Sequence, residues 1–224
     1  MKKIEDITEE FINETAKMKY TYNFSWLGRP IIQFPQDIMA IQEIIWNVKP
    51  DLVIETGIAH GGSLVLSASI LELIGEGEVV GIDIEIRPEN KKEIENHVLS
   101  KRIRMIEGSS IDEEVFSKIK DIAKEKKNVL VILDSNHTHE HVSKELNFYS
   151  SLVTRGSYLI VLDTIIEDMP KNSFPNRDWD KGNNPKTAVW EFLKNTDRFE
   201  IDKDIENKLL ITVAPDGYLK CIKE

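Results

Sequence analysis

A short apolar run that ends in an acid and a glycine-rich turn constrains the fold of this chain most. Residues 52–63 read Leu-Val-Ile-Glu-Thr-Gly-Ile-Ala-His-Gly-Gly-Ser, and a second apolar segment follows at 64–74. This order predicts a buried strand, a tight turn and the start of a helix. Glycines let a ligand approach the backbone, and the first N–H groups of a helix favour an anion. Because Glu55 at the strand end can accept hydrogen bonds from a cation or a hydroxyl, the turn suits a ligand that carries both charge signs.

From residue 50 onward, strand and helix patterns alternate. We predict strands at 52–56, 79–84, 103–107, 129–134 and 157–163, and helices at 63–74, 89–98, 113–126, 139–153 and 186–195. The strands are almost continuously apolar, which is typical of a parallel sheet covered on both faces. The predicted fold class is therefore α/β, with a Rossmann-like, mostly parallel sheet.

The C-terminal end differs in kind from the alternating region. Short apolar segments lie at 199–202, 209–213 and 218–222, and Asp216-Gly217 is a turn signal between the last two. The sequence therefore predicts that the chain finishes with antiparallel strands, including a hairpin, added to the parallel sheet.

The chain is predicted to form one compact unit with two parts, an N-terminal cover of residues 1–48 and a domain of residues 49–224. Within the cover, helical spacing is found at 1–20 and 37–48. The segment 21–36 between them is rich in aromatic residues and prolines, as lids and packed covers often are. Residues 164–185 form a polar loop that is long for a compact domain, so they are a candidate substrate loop.

Charge and cysteine content restrict the possible partners and the compartment. The chain has 39 acidic and 29 basic residues and a formal net charge of −10, so it would repel the phosphates of nucleic acid. Its single cysteine, Cys221, cannot form a disulfide within the chain, which fits a reducing cytoplasm. The first residues lack the apolar core of a signal peptide, and no run of 18 apolar residues predicts a membrane span. Exposed aromatic residues near the N-terminus would allow a homo-oligomer.

Polar residues follow directly on five of the predicted strands. They are Glu55, Asp83, Gly108-Ser109-Ser110, Asp134 and Asp163. Ligands bind beyond the carboxyl ends of the strands in open α/β sheets, so these residues predict a binding edge. Asp83 lies 26 residues beyond Gly57, close to where a second-strand acid binds a ribose, although it could also cap a helix. Ser109 and Ser110 could reach an adenine or cap the helix that begins near Glu113.

Asp134 and Asp163 end neighbouring strands and suggest a metal site. Two carboxylates at one edge repel each other unless a cation lies between them. Mg²⁺ is often bound by one or two carboxylates together with waters and substrate oxygens. The alternative is that one aspartate caps a turn while the other is solvated.

Three of the five histidines lie in the segment Asp-Ser-Asn-His-Thr-His-Glu-His at 134–141. The spacing superficially resembles the metal motif of metallo-β-lactamase-like hydrolases, but those sites need further histidines downstream, and none follows His141. A two-histidine iron site is also disfavoured, because His139 and His141 fall in a predicted helix, where positions i and i+2 point apart. His137 lies in the loop nearest Asp134, and its ordinary pKa close to neutrality suits a general base. The alternative is a surface histidine.

Two motifs resemble those of the cephalosporin hydroxylase / rhamnosyl O-methyltransferase family. They are Glu-Thr-Gly-Ile-Ala-His-Gly-Gly-Ser at 55–63 and Leu-Asp-Ser-Asn-His-Thr-His-Glu-His-Val at 133–142. Upstream, Trp-Leu-Gly-Arg-Pro at 26–30, Gln-Phe-Pro-Gln-Asp at 33–37 and Lys-Pro-Asp at 49–51 are similar as well. The resemblance covers about residues 22–195 and implies a class I methyltransferase fold that uses S-adenosylmethionine, with a seven-stranded sheet and an antiparallel terminal hairpin.

The resemblance also implies roles for individual residues. Glu55, Gly57, Gly61, Gly62 and Ser63 would hold the methionine part of S-adenosylmethionine, Asp83 the ribose, and Ser109 and Ser110 the adenine side. Asp134 and Asp163 match metal-ligand positions. The family often has a Glu-Asp pair where this chain has Leu162-Asp163, so one carboxylate is absent. Thr164 or Glu167 could replace it, or the site could work without a metal.

The predicted function is therefore an O-methyltransferase that acts on a hydroxyl of a saccharide or related small molecule, in surface-glycan or natural-product tailoring. Asp134 and His137 are the predicted catalytic residues, with Mg²⁺ assisting. Two alternatives stay open at this point, an NAD-dependent oxidoreductase on a similar sheet and a non-catalytic, oligomeric cofactor-binding protein. The oxidoreductase fits less well, because residues 57–62 do not read Gly-x-Gly-x-x-Gly and an acid at Glu55 would not help to bind a pyrophosphate.

Overall fold

A seven-stranded sheet forms the centre of the molecule, described here by a computed structural model of residues 3–224. The strands are β1 Phe24–Trp26, β2 Arg29–Ile31, β3 Leu52–Thr56, β4 Glu78–Asp83, β5 Ile103–Glu107, β6 Val129–Leu133, β7 Tyr158–Val161, β8 Phe199–Ile201 and β9 Tyr218–Cys221. The sheet order is β5-β4-β3-β6-β7-β9-β8, while β1 and β2 form a separate hairpin. The strands from β5 to β7 pair in parallel, and β9 is antiparallel to both of its neighbours. The predicted mostly parallel sheet with antiparallel C-terminal strands is confirmed.

The helices of the alternating region lie where the sequence predicts them, with ends shifted by a few residues. The helices are α1 Ile4–Lys17, α2 Pro35–Val48, α3 Gly62–Ile74, α4 Pro88–Glu95, α5 Glu113–Ala123, α6 His139–Tyr149, α7 Pro185–Lys194 and α8 Lys203–Leu209. Residues 1 and 2 of the predicted N-terminal helix lie outside the described part. None of the helices between residues 3 and 224 is long and apolar enough to cross a membrane.

The core lies on both faces of the sheet. Every residue of β3 and of β6 is buried. Successive side chains alternate between faces, so Val53 packs in the cluster that includes α2 and α3, whereas Leu52 packs in the cluster that includes α5 and α6. Burial on both faces explains why successive residues of β6 and of the first part of β3 are apolar rather than alternating with polar ones.

The strand predicted at 209–213 does not form, so the antiparallel pairing at the C-terminal end joins β8 and β9 instead. Residue 209 ends α8, residues 210–217 are irregular, and β8 pairs directly with β9, with Phe199 opposite Cys221. The Asp202 side chain begins α8 by accepting a hydrogen bond from the backbone N–H of Asp204. The segment is apolar because Leu209 and Val213 are buried against the core, not because it joins a ladder.

The cover is ordered structure rather than an irregular lid. A short 3₁₀ turn, Tyr20–Asn23, leads into the β1–β2 hairpin, and Nε1 of Trp26 donates a hydrogen bond to Oγ of Ser69 on α3. The buried carboxylate of Asp37 on α2 accepts hydrogen bonds from Val213 N–H at 2.9 Å and from Tyr218 OH at 2.7 Å. The cover is therefore bonded to the C-terminal part of the chain.

Candidate active site

A cleft of about 650 Å³ opens at the carboxyl ends of the central strands. Its walls are formed by the glycine-rich turn at 57–63, the cover, and residues 163–179. Among the residues predicted from the sequence, those that line it are Gly57, Gly62, Ser63, Asp83, Asp134, His137 and Asp163. The predicted binding edge is thus assembled around one cavity.

Glu55 is a buried carboxylate at the end of β3, only 1% exposed. The Ser63 hydroxyl donates a hydrogen bond to Oε1, but Oε2 is buried without a hydrogen-bond partner. Burial raises the pKa of Glu55 to about 7, although the bond from Ser63 opposes this change. A buried acceptor without a partner is costly, so the free oxygen is suited to a ligand that donates to it, such as an ammonium group.

The glycines of the turn are required by the packing of the protein itself. Gly57 has φ +91°, and a Cβ there would lie 2.1 Å from the backbone oxygen of Asp134. A Cβ on Gly62 would lie 2.2 Å from the carbonyl oxygen of Pro30, and one on Gly61 would lie 2.3 Å from Cδ1 of Ile94. Sequence reasoning attributed these glycines to close approach of a ligand, whereas the turn needs them in order to pack against β6, the cover hairpin and α4.

Asp83 holds the glycine-rich turn while facing the cleft. Its Oδ2 accepts hydrogen bonds from the backbone N–H groups of Ile58, at 2.8 Å, and Ala59, at 3.2 Å. These bonds go to the turn and not to the first residues of a helix, so Asp83 is not the helix cap considered from the sequence. Since each carboxylate oxygen can accept more than one hydrogen bond, the proposed contact with a ribose is still open to it.

Arg29 and Asn90 also fix the turn, and sequence reasoning missed both as site residues. The Arg29 guanidinium donates to the carbonyl oxygen of His60 from Nε at 3.0 Å and Nη2 at 2.6 Å. Asn90 donates from Nδ2 to the carbonyl oxygen of Ala59 at 2.8 Å, and it accepts from Arg29. Arg29 could have been recognised from its place in the segment Trp26–Pro30, which the sequence analysis had already noted. An arginine that is buried usually has a polar partner.

Among the described residues that line the cleft, neither Ser109 nor Ser110 is found. Ser110 is buried, and its Oγ lies 3.0 Å from Nε2 of His141 and 3.4 Å from Oγ of Ser135. Its side chain therefore belongs to a network that includes Ser135 in the cleft wall, without lining the cleft itself, and the adenine contact stays a prediction.

That network combines a serine, a histidine and an acid without forming a hydrolase triad. The Ser135 hydroxyl donates to Oε1 of the fully buried Glu145 at 2.7 Å, and Nε2 of His141 lies 3.1 Å from the same hydroxyl. In a triad the acid orients the histidine through its other ring nitrogen, whereas here Glu145 lies 3.7 Å from Nε2 itself. The arrangement instead fixes Ser135 beside Asp134.

Asp134, His137 and Asp163 form the chemical centre of the cleft. One ligand atom from each residue lies within 4.8 Å of the others, and His137 Nε2 is 3.1 Å from Asp163 Oδ2. Burial, and then the negative charges of Asp163 and Glu55, raise the pKa of Asp134 well above its ordinary value. A divalent cation would relieve this repulsion, so the two carboxylates fit a metal site with His137 beside it.

Neither candidate for the missing carboxylate joins this centre. The Thr164 hydroxyl donates to the carbonyl oxygen of Pro215 at 2.6 Å. Oε2 of Glu167 accepts from Gly182 N–H at 2.7 Å and from Asn184 Nδ2 at 2.6 Å, so it ties together the two ends of the candidate substrate loop. His137 is the third residue of the cluster instead.

The candidate substrate loop contributes an aromatic and a basic residue to the cleft. The Trp179 ring meets the His137 ring edge to face, with centroids 4.7 Å apart, and the Arg177 guanidinium lies 5.0 Å from the Trp179 centroid. Sequence reasoning identified the loop but neither residue. The nearest signal was Arg-Asp-Trp at 177–179, an aromatic and a cation within an otherwise polar segment.

Comparison with known proteins identifies relatives across almost the whole chain. The model of the family described as "Rhamnosyl O-methyltransferase/CmcI" matches residues 18–222. A rhamnosyl O-methyltransferase of Mycobacterium tuberculosis (strain ATCC 25618 / H37Rv) is 30% identical over 189 residues, which cover 82% of this chain and 72% of the relative.

Solved structures share the fold. A structure of CmcI with Mg and SAM has a TM-score of 0.64 at 18% sequence identity. The alignment covers 90% of this chain and 78% of the CmcI chain. An O-methyltransferase from Bacillus cereus in complex with SAH has a TM-score of 0.55 at 16% identity, with 89% of this chain and 83% of its own covered.

Proposed function

Since this chain belongs to the rhamnosyl O-methyltransferase/CmcI family, we propose that it transfers a methyl group from S-adenosylmethionine to a hydroxyl group of a saccharide or related small molecule. The observation that carries the proposal is the cluster of Asp134, His137 and Asp163 in the same cleft as the turn beside Glu55. One part of the cleft offers groups for a zwitterionic cofactor, and the other offers groups that activate a hydroxyl.

Glu55 and the first turn of α3 form the cofactor side of this proposal. The free oxygen of Glu55 would accept a hydrogen bond from the amino group of the methionine part. The N-terminus of α3, at Gly62 and Ser63, would bind its carboxylate through backbone N–H groups. Asp83 would bind the ribose. The cofactor supplies a methyl group that its sulfonium already activates.

Asp134, Asp163 and His137 form the acceptor side. The two aspartates would hold Mg²⁺, which would polarise the acceptor hydroxyl and lower its pKa. With Nε2 of His137 held by Asp163, the remaining ring nitrogen, Nδ1, would take the hydroxyl proton. The oxygen–methyl bond forms as the sulfur–methyl bond breaks, so positioning both partners in one cleft would contribute much of the rate.

The saccharide acceptor rests on the names of the relatives, which are rhamnosyl O-methyltransferases. Surface-glycan or natural-product tailoring would be the setting. The alternatives considered from the sequence make different predictions for binding. An oxidoreductase would bind NADH in preference to S-adenosylmethionine, whereas a non-catalytic protein would bind the cofactor without turnover.

A methyl-transfer assay with isotopically labelled S-adenosylmethionine and a panel of saccharides tests the function. We expect Asp134→Ala and His137→Ala to lower kcat by about 10²–10⁴-fold, since each removes a group that activates the hydroxyl. His139→Ala is the matched control, because that ring contacts Thr187 and Glu191 outside the cluster. Full activity in both cleft variants, or calorimetry showing tighter binding of NADH than of S-adenosylmethionine, would reject the proposal.

A further inference from the structure

The acceptor side of the cleft presents an exposed arginine, Arg177. Arg177 lies over the Trp179 ring, and Trp179 contacts His137, so all three belong to the same wall. Stacking on an indole orients the plane of the guanidinium while its N–H edge stays available for two parallel hydrogen bonds to an oxyanion. Because Trp179 contacts His137, the pair formed by Arg177 and Trp179 lies on the side of the cleft that carries the His137 cluster.

Within residues 3–224, the Arg177 side chain forms no ion pair and donates no hydrogen bond. Arg177 is exposed, so in the unliganded protein its charge is solvated rather than paired. Two other cations without an ion pair among the described residues, Lys19 and Arg87, line the same cleft. Arg177 differs from them because its guanidinium lies over the ring of Trp179, which contacts His137.

A buried amide in the cleft wall also lacks a partner. Gln33 is 2% exposed, and its Oε1 is buried without a hydrogen bond. An unsatisfied buried amide oxygen destabilises the protein unless a ligand donates a hydrogen bond to it. A saccharide hydroxyl is such a donor, and the half-buried Trp179 ring offers an apolar surface for the face of a sugar ring.

From these three observations we propose that the acceptor is an anionic saccharide. Arg177 binds its carboxylate or phosphate, Trp179 contacts the sugar ring, and Gln33 accepts a hydrogen bond from one of its hydroxyls. The inference rests on the proposed methyl transfer and adds the chemical class of the substrate. The competing anion for Arg177 is the carboxylate of the cofactor itself, so the experiment must separate the two.

Equilibrium binding to the protein shows whether Arg177 binds the anion of the acceptor or the carboxylate of the cofactor. S-adenosylhomocysteine is bound first and its affinity measured by calorimetry, and glucose, glucuronate and glucose 6-phosphate are then titrated in turn. We expect at least one anionic sugar to bind about tenfold more tightly than glucose, as a charge-assisted hydrogen bond would give, and the preference to weaken as salt is added. Comparison of glucuronate with glucose 6-phosphate shows whether the site prefers a carboxylate or a phosphate.

Three variants show which residues are responsible for the preference for an anionic sugar. Arg177→Gln should abolish the preference for the anionic sugar, while Lys171→Gln, which removes a charge from an exposed position of the same loop, should preserve it. Gln33→Leu should lower the affinity for glucose and for the anionic sugars by the same factor, because it removes a contact to a hydroxyl group that all three sugars have.

Equal affinity for all three sugars, or no binding of any of them to the cofactor-loaded protein, would overturn the inference while leaving methyl transfer standing. A loss of affinity for S-adenosylhomocysteine in Arg177→Gln would also overturn it, because Arg177 would then serve the cofactor. Failure of the unaltered protein to bind S-adenosylhomocysteine would instead contradict the proposed function itself.

Discussion

Gly57 determines how closely the glycine-rich turn packs against the end of β6. Its φ of +91° lies in the left-handed region, and the position of a Cβ is blocked by the backbone oxygen of Asp134 at 2.1 Å. The same glycine therefore couples the turn beside Glu55 to the aspartate of the His137 cluster. A side chain at this position would displace two parts of the site together.

We expect Gly57→Ala to destabilise the protein by more than about 3 kcal/mol, because strain in the backbone and the clash with Asp134 act together. Gly28→Ala is a matched control, since Gly28 has φ +89° but nothing lies within 4 Å of the position of its Cβ. That variant should lose only the strain, about 1–2 kcal/mol. Urea denaturation measures both values, and equal losses would show that the close contact with Asp134 is unimportant.

At the scale of elements, Lys186 fastens the candidate substrate loop to α7. Its side chain is 8% exposed, and Nζ lies 2.6 Å from Asp168 Oδ2 and 3.8 Å from Asp216 Oδ2. Glu167 adds bonds to Gly182 and Asn184 at the far end of the loop. The loop that carries Trp179 is therefore held at both ends by buried or half-buried polar contacts.

Removing the ammonium group should loosen this loop without affecting the cofactor side. We expect Lys186→Met to lower stability by about 1–2 kcal/mol, a modest loss since Asp168 can be solvated. Amide hydrogen exchange between residues 168 and 184 should become faster, and KM for the acceptor should rise while the affinity for S-adenosylhomocysteine stays constant. Lys194→Met, at an exposed position of the same helix, is the control. Unchanged exchange in the loop would refute this role for Lys186.

At the scale of the whole molecule, two buried acids that have no cationic partner among residues 3–224 make stability depend on pH. Burial raises the pKa of Glu55 to about 7 and that of Asp37 to about 6. A carboxyl group whose pKa is higher in the folded state binds its proton more tightly there, so its contribution to stability is greatest at low pH. That contribution decreases as the pH rises from the unfolded pKa through the folded one.

Glu55→Gln should therefore be more stable than the natural protein at pH 8, by about 1–3 kcal/mol, and nearly equal to it at pH 5. The variant should also lose affinity for S-adenosylmethionine, because a neutral amide cannot pair with the ammonium group. Thermal unfolding at the two pH values and calorimetry at pH 8 provide the measurements. A variant that is less stable at pH 8 would mean that ionised Glu55 stabilises the unliganded fold.

The sequence predictions were accurate where local sequence decides the structure, and wrong where packing against distant residues decides it. The strands at 52–56 and 103–107 were located to the residue, because a short, mainly apolar run that ends at a polar residue is a local property of the sequence. The strand predicted at 209–213 was wrong, because a helix end packed against the core is apolar for the same reason as a strand. Local composition cannot distinguish these two ways of burying Leu209 and Val213.

The sequence by itself determined the alternation of strands and helices, the acids at the strand ends and the gathering of Glu55, Asp134 and Asp163 at one edge. Periodicity and parallel pairing are enough for that. Only the tertiary structure decided that Ser110 bonds within the His141 network and that Trp179 contacts His137. These contacts join residues tens of positions apart, and they depend on the path of a loop and on how helices pack, which local side-chain patterns do not encode.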